Sequence, residues 1–211
     1  MLDRKGQIGE ILVSRGIISR EQLEHAISER RFSGNALGEV LVELGYITRK
    51  DLFENLYEQT LDRILNVMRL MLDLELLLAD FYQLCSQEFA QHAGFWLRLR
   101  DDEVQHAGYI GKIIQGMYER PQLFEVGGPC QPEAIERVVE FTKSSMERLR
   151  MGVLTHKDAL NLSHTIEVTL VENQFFDMVS TRDAETLELL RLLKQETMLH
   201  QKRIIENKPA R

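Results

Sequence analysis

Apolar residues recur along this chain at steps of three and four, and no stretch alternates apolar with polar as a half-buried strand does, so the pattern predicts an all-α protein. Two regimes follow one another. Up to about residue 60 the apolar steps come in short bursts broken by glycine. From about Leu61 they run on as long amphipathic stretches, which predict helices over 64–91, 94–118, 134–152, 157–180 and 184–206. One extended loop is predicted, from Glu119 to Pro132, because it holds Pro121, Gly127, Gly128, Pro129 and Pro132. The expected organisation is two domains, 1–60 and 61–211. The second would be a four-helix bundle whose fifth helix, after the mid-chain loop, makes the crossover between two halves.

The first domain contains a repeat. Shifted by 29 residues, Gln7-Ile8-Gly9-Glu10-Ile11-Leu12-Val13, Gly16 and Ile18 fall on Ala36-Leu37-Gly38-Glu39-Val40-Leu41-Val42, Gly45 and Ile47, and Leu23 and Ile27 fall on Leu52 and Leu56. Each copy reads as a short helix stopped by a left-handed glycine, Gly16 or Gly45, then a second helix. Ser19 with Gln22, and Thr48 with Asp51, have the spacing of a capping box that starts it. Ser33-Gly34-Asn35 supplies the turn between copies.

Composition narrows the partners. The 211 residues are 44% hydrophobic and 28% charged, ordinary for a globular chain, and Lys+Arg 26 against Asp+Glu 33 leaves a net charge of −7. That sign disfavours nucleic-acid phosphate and anionic lipid. The richest apolar run, Leu72 to Ala79, is short and carries Asp73 and Glu75, so no membrane span is expected. The first residues, MLDRKGQIGE, lack the apolar core of a signal peptide, and a cytoplasmic location is expected. Cys85 and Cys130 form no C-x-x-C pair, which excludes a thiolate zinc or rubredoxin-type iron centre built from these residues.

The informative acids are those inside apolar stripes. Met68, Met71, Leu72, Glu75, Leu78, Ala79, Tyr82 and Cys85 share one helix face, and so do Trp96, Leu99, Glu103, His106, Ile110, Ile113 and Met117. A third stripe runs through Leu160, His164, Glu167, Leu170, Val171, Gln174 and Met178, and a fourth through Leu189, Leu193, Glu196, His200 and Arg203. An unpaired carboxylate in an apolar core costs several kcal/mol, so inward glutamates on four neighbouring helices need a compensator. Divalent cations suit them, and carboxylate with imidazole fits iron, manganese or zinc. The candidate metal ligands are Glu75, Glu103, His106, Glu167, Glu196 and His200. A metal-free buried polar network is the alternative. Tyr82 is a core aromatic or a hydrogen-bond partner of a ligand carboxylate, and His164 a hydrogen-bond partner of the ligands. His92 and His156 lie near predicted helix ends and read as surface residues. No nucleophilic catalytic residue or phosphate loop stands out, and the catalytic residues stay unassigned.

Glu75 followed by Tyr82, then Asp102-Glu103-Val104-Gln105-His106, with Asp158-Ala159-Leu160 leading into Ile166-Glu167, resembles the ferritin-like di-iron carboxylate superfamily, and within it the rubrerythrin-like branch. The family pattern is a Glu on each of two helices and Glu-x-x-His on each of the other two. The resemblance covers about residues 64–206. It implies two irons that oxidise iron or reduce peroxide or oxygen, with Glu103 and Glu167 as bridging candidates and Glu75, His106, Glu196 and His200 as terminal ligands. It also implies a separate electron donor and, as often in such bundles, a homodimer. The last helix departs from the pattern: Glu196 and His200 are four residues apart, and Thr197 stands where the family has its glutamate.

The N-terminal repeat resembles the N-terminal domain of type II secretion and type IV pilus assembly ATPases, whose motif R-L-G-x-x-L-x-x-x-G-x-[LI] occurs twice with a five-residue spacer, here Arg31 to Asn35. Some members bind cyclic di-GMP through the two repeats, which points to Gly9, Arg30, Gly38 and Gln59. The motif's opening arginine is replaced by Gln7 and Ala36, and its closing glutamine is Arg30 in the first copy and Gln59 in the second. No Walker-type sequence follows. Beside the oxidoreductase stands a non-enzymatic sensor or adaptor, in which residues 1–60 dock a protein partner or bind cyclic di-GMP.

Overall fold

A computed structural model describes residues 7–126, 132–172 and 175–207. Among them the chain is helical apart from a single two-stranded ladder. It divides into two compact units, Met1–Asp62 and Arg63–Arg211.

The first unit holds α1 (Gln7–Ser14), α2 (Arg20–Ser33), α3 (Leu37–Glu43) and the opening turns of α4 (Arg49–Glu88). Gly16 and Gly45 take φ of 68° and 69°, the left-handed region that glycine enters without a Cβ penalty. Each closes its helix with the same pair of bonds: Gly16 N–H donates to Val13 O at 2.9 Å and Ile17 N–H to Leu12 O at 2.9 Å, while Gly45 and Tyr46 donate to Val42 and Leu41 at 3.0 Å. Ser19 with Gln22, and Thr48 with Asp51, make reciprocal capping bonds at the next helix starts. Ile8, Leu12, Ile18 and Leu23 of the first copy and their mates Leu37, Leu41, Ile47 and Leu52, with Ala26 and Val40, form the core. The two motif glycines are buried at helix crossings. A Cβ on Gly9 would lie 2.4 Å from Leu23 Cδ1, and one on Gly38 would lie 2.6 Å from Leu52 Cδ1. Close packing therefore accounts for both glycines. Arg30 on α2 and Gln59 on α4 are half-buried.

The second unit is built from the rest of α4 with α5 (Ala93–Glu119), α6 (Pro132–Arg150), α7 (His156–Glu172) and α8 (Ala184–Glu206). The helix expected to begin at 64 is the continuation of α4, which runs unbroken from Arg49 because no glycine or proline falls between Arg49 and Glu88. Pro121 ends α5, since the residue before a proline avoids helical angles: Arg120 sits at φ −137°, ψ 55°. Pro132 opens α6 at the position where a missing N–H costs nothing. Gly152, φ 68°, follows the end of α6.

Two expectations are corrected here. The helix predicted over 157–180 ends at Glu172, and Val179–Thr181 is a strand, β2, paired antiparallel with β1 (Phe124–Val126), Phe124 opposite Thr181. Three-residue strands are too short to show alternation in the sequence. The ladder crosses what reads as loop: Arg182 N–H donates to Leu123 O at 3.0 Å, and Arg120 reaches Asp183, the N-cap of α8, at 2.6 Å. Met178 is buried in a single 3-10 turn, Phe175–Met178, rather than on a helix stripe, while Gln174 and Cys130 lie outside the described residues.

α8 packs against α7 and α5, and α6 lies against α7. Leu74, Leu78, Phe81, Trp96, Ile110, Ile113, Leu160 and Leu193 are buried in this unit. Among the described residues no helix is long and apolar enough to cross a membrane.

Candidate metal centre

Four helices bring their polar residues into one buried cluster. Glu75 comes from α4, Glu103 and His106 from α5, Glu167 from α7 and His200 from α8, and each is at most 3% exposed. Their helical phase explains the placement, because each lies in step with the apolar stripe of its own helix and is carried into the core with it.

Glu103 is the hub. Its Oε2 lies 2.9 Å from His106 Nδ1 and its Oε1 lies 3.2 Å from His200 Nδ1. Glu75 Oε2 approaches His106 Nδ1 at 3.8 Å, and Glu167 Oε1 approaches His200 Nδ1 at 3.6 Å. The result is a pseudo-twofold arrangement, with one imidazole and one further carboxylate on either side of a shared carboxylate. Ligand atoms of Glu103, His106 and His200 all fall within 4.8 Å of one another, so this group could hold a metal ion.

The outward ring nitrogens are held as well. His106 Nε2 meets Glu196 Oε2 at 2.9 Å, and His200 Nε2 meets Asp102 Oδ2 at 3.1 Å. Asp102 is held in turn by Arg203. Glu196 thus lies on the far side of His106 from Glu103, where it orients the ring. The resemblance implies Glu196 as a terminal ligand; in the structure its oxygen meets the outer nitrogen of His106, as Asp102 meets that of His200. Asp102 is the functional residue that sequence reasoning missed. Its signal was available, since Asp102 precedes His106 by the same four residues that separate Glu196 from His200. Thr197, at the position matching Glu103, is buried and donates its hydroxyl to Leu193 O at 2.9 Å, satisfied within its own helix. Tyr82 is both alternatives at once, a fully buried aromatic whose hydroxyl donates to Glu167 Oε1 at 3.1 Å. His164 is half-buried on α7, outside the three-residue group.

Two polar atoms of the cluster, Glu103 Oε1 and His200 Nδ1, are buried and make no hydrogen bond among the described residues, although they face each other. Buried polar atoms are nearly always satisfied, so two unsatisfied atoms aimed at one point fit a cation between them. The charges point the same way. Burial pushes the Glu75 carboxyl up to about 8. Burial also works against charge on the other groups, but the opposite charges packed against them overcome it at three of them. Glu103 is held far below the usual carboxylate range by His106 and His200. His106 is raised to about 11 by Glu103 and Glu75, and His200 to about 12 by Asp102, Glu103 and Glu167. Glu167 is raised, chiefly by burial. Without a cation the cluster therefore holds protons where a metal would sit.

No family model, no curated protein and no solved structure matches the chain.

Proposed function

We propose that the second unit is a ferritin-like, rubrerythrin-like bundle that binds two irons in this cluster and acts as an oxidoreductase on peroxide, oxygen or ferrous iron. The observation that carries the reading is the shared carboxylate: Glu103 presents one oxygen to each imidazole, and its Oε1 faces the buried Nδ1 of His200. Glu75, Glu103 and His106 would hold one ion, and Glu103, Glu167 and His200 the other. Three carboxylates against two divalent cations leave one net positive charge, so the metal would take over the charge balance that protons supply in its absence. Manganese or zinc has the same ligand preferences, but only a redox metal supplies electron transfer to an oxidant. Glu196 and Asp102 orient the imidazoles, and Tyr82 holds Glu167 in place. Electrons come from a separate donor, since the chain has no thiolate iron centre of its own.

Thr197 favours a second reading, in which the bundle is a metal-free scaffold and the first unit docks a protein or a dinucleotide. A threonine satisfied within its own helix stands where the family pattern provides a carboxylate on the last helix. Elemental analysis of protein purified from iron-supplemented cells separates the two readings when run beside a Glu103→Ala/His106→Ala double variant. Two irons per chain, lost in the variant, is the expected result. No metal in either sample would overturn the oxidoreductase and leave the scaffold.

A further inference from the structure

Where α6 lies against α7, both helices present short side chains, and a groove is left between them. Ala134 and Val138 of α6 and Ile166 of α7 are buried and form its floor. Thr165 and Thr169 line the α7 side, and Phe141, 39% exposed, lines the α6 side. The groove has a volume of about 240 Å³. Packed helices normally fill the space between them to the density of an organic crystal, so an apolar groove of this size marks a place for a ligand.

The polar groups of the lining say which ligand. Both threonine hydroxyls are turned to their own helix: Thr165 Oγ1 donates to Asn161 O at 3.0 Å, and Thr169 Oγ1 to Thr165 O at 2.7 Å. Their protons are thus spent on backbone carbonyls. One charged group remains in the lining, Arg137. Among the described residues no carboxylate pairs with it, although Glu133, Glu136 and Glu140 lie within one turn on the same helix; Glu140 is held by Lys143 at 3.1 Å. A guanidinium is always charged and offers its donors in a planar fork that matches a carboxylate.

We infer that this groove binds a medium-chain carboxylate, with its alkyl chain along Ala134, Val138 and Ile166 and its head on Arg137. Size, polarity and charge each narrow the class. The volume holds roughly eight groups the size of a water molecule at about 30 Å³ each, which suits a chain of about that many carbons and is far too small for a lipid with two long tails. A sugar or a nucleotide would meet apolar walls where it needs donors and acceptors. A single arginine matches a single carboxylate. None of the lining residues belongs to the buried cluster, so the inference stands or falls apart from the metal-binding reading.

Equilibrium dialysis of the full-length protein against radiolabelled octanoate tests it. Octanoate should bind once per chain with a Kd of about 0.1–1 mM, the range open to a ligand of about ten heavy atoms. Octanol has the same chain without the charge, and should bind at least about tenfold more weakly. Arg137→Gln should weaken octanoate by a similar factor and leave octanol unchanged. Thr165 is exposed, so Thr165→Phe leaves the core alone and sets a ring into the groove; it should remove the binding of both. No saturable binding of octanoate below about 10 mM would overturn the inference. Binding that survives Thr165→Phe would place octanoate elsewhere, and octanol binding as tight as octanoate would remove the part given to Arg137; either result overturns it. Sedimentation in the same buffer supplies the last arm: a dimer that Thr165→Phe dissociates and octanoate does not would mean that a second copy of the chain covers the groove, and the carboxylate site would fall.

Discussion

The two helices that supply histidine to the cluster run almost the same local sequence to different ends. On α5, Asp102-Glu103 precedes His106, and on α8, Glu196-Thr197 precedes His200. In both, the acid four residues before the histidine reaches across to the other helix and holds that histidine's outer nitrogen, Asp102 on His200 and Glu196 on His106. They differ in the next residue. Glu103 turns inward between both rings, while Thr197 closes a bond to its own backbone. The lesson is that two helices can place a histidine and its outer acid alike while presenting different residues to the centre of the cluster. α8 keeps the phase, the histidine and the outer acid, and lacks only the second carboxylate.

The largest expected effect tests whether both sides hold protons in place of metal. His106 and His200, raised to about 11 and about 12, and Glu75, raised to about 8, all bind protons more tightly folded than unfolded. The unfolded chain gives up its Glu75 proton near pH 4.5 and its histidine protons near 6.5, so above pH 6.5 the folded state holds more protons. The stability these groups contribute is thus complete at low pH and declines as pH rises toward the folded values. Each such proton contributes at most about 1.4 kcal/mol per pH unit. The urea midpoint of the metal-free protein should fall steadily from pH 6.5 to 8.5. Added ferrous ion, applied without oxygen, should restore it more at 8.5 than at 6.5, because the metal displaces those protons. A flat midpoint over that range would show that the histidines titrate normally and that the two sides are not charged.

Much of this was legible from sequence, and what was missed has physical causes. The inward phase of Glu75, Glu103, His106, Glu167 and His200 follows from steps of three and four, because a helix in step with its apolar stripe must carry such residues into the core. The caps at Ser19, Gly16 and Gly45 are local chemistry and could be read directly. Glu196 could not be placed, since spacing fixes a helix face and leaves open which side of a neighbouring ring a long side chain reaches. The strand at Val179–Thr181 escaped because three residues carry no period, and its partner lies more than fifty positions away. The unbroken run of α4 from Arg49 to Glu88 was hidden by a change in apolar pattern near Leu61 that is not a break in the helix.

Thr197→Glu tests whether the missing carboxylate is the only difference between the helices. Thr197 is 3% exposed, so a glutamate there adds a buried acid to a cluster that already holds three. Without metal the variant should lose roughly 2–3 kcal/mol in urea unfolding. With metal it should recover that loss and bind the second ion more tightly than wild type, read by competition with a chelating dye. If the metal-free loss appears without any metal-dependent recovery, α8 differs from α5 in backbone position as well as in one side chain.

The smallest effect separates orienting from ligating. Replacing an acid that holds the outer nitrogen of a metal-bound histidine typically weakens metal binding by about 10–100-fold, while removing a ligand removes the ion. Glu196 and Asp102 are both partly exposed and each touches one histidine, so Glu196→Gln and Asp102→Asn should each sit near the lower end of that range, with metal content unchanged at saturating metal. Glutamine and asparagine keep a hydrogen-bonding oxygen but lose the charge that favours a proton on the ring. Asp102 should show the larger loss, because its substitution also releases Arg203 next to His200. If Glu196→Gln instead halves the metal content while Asp102→Asn does not, then Glu196 swings inward when metal arrives, and α8 supplies its second carboxylate from one residue earlier than α5 does.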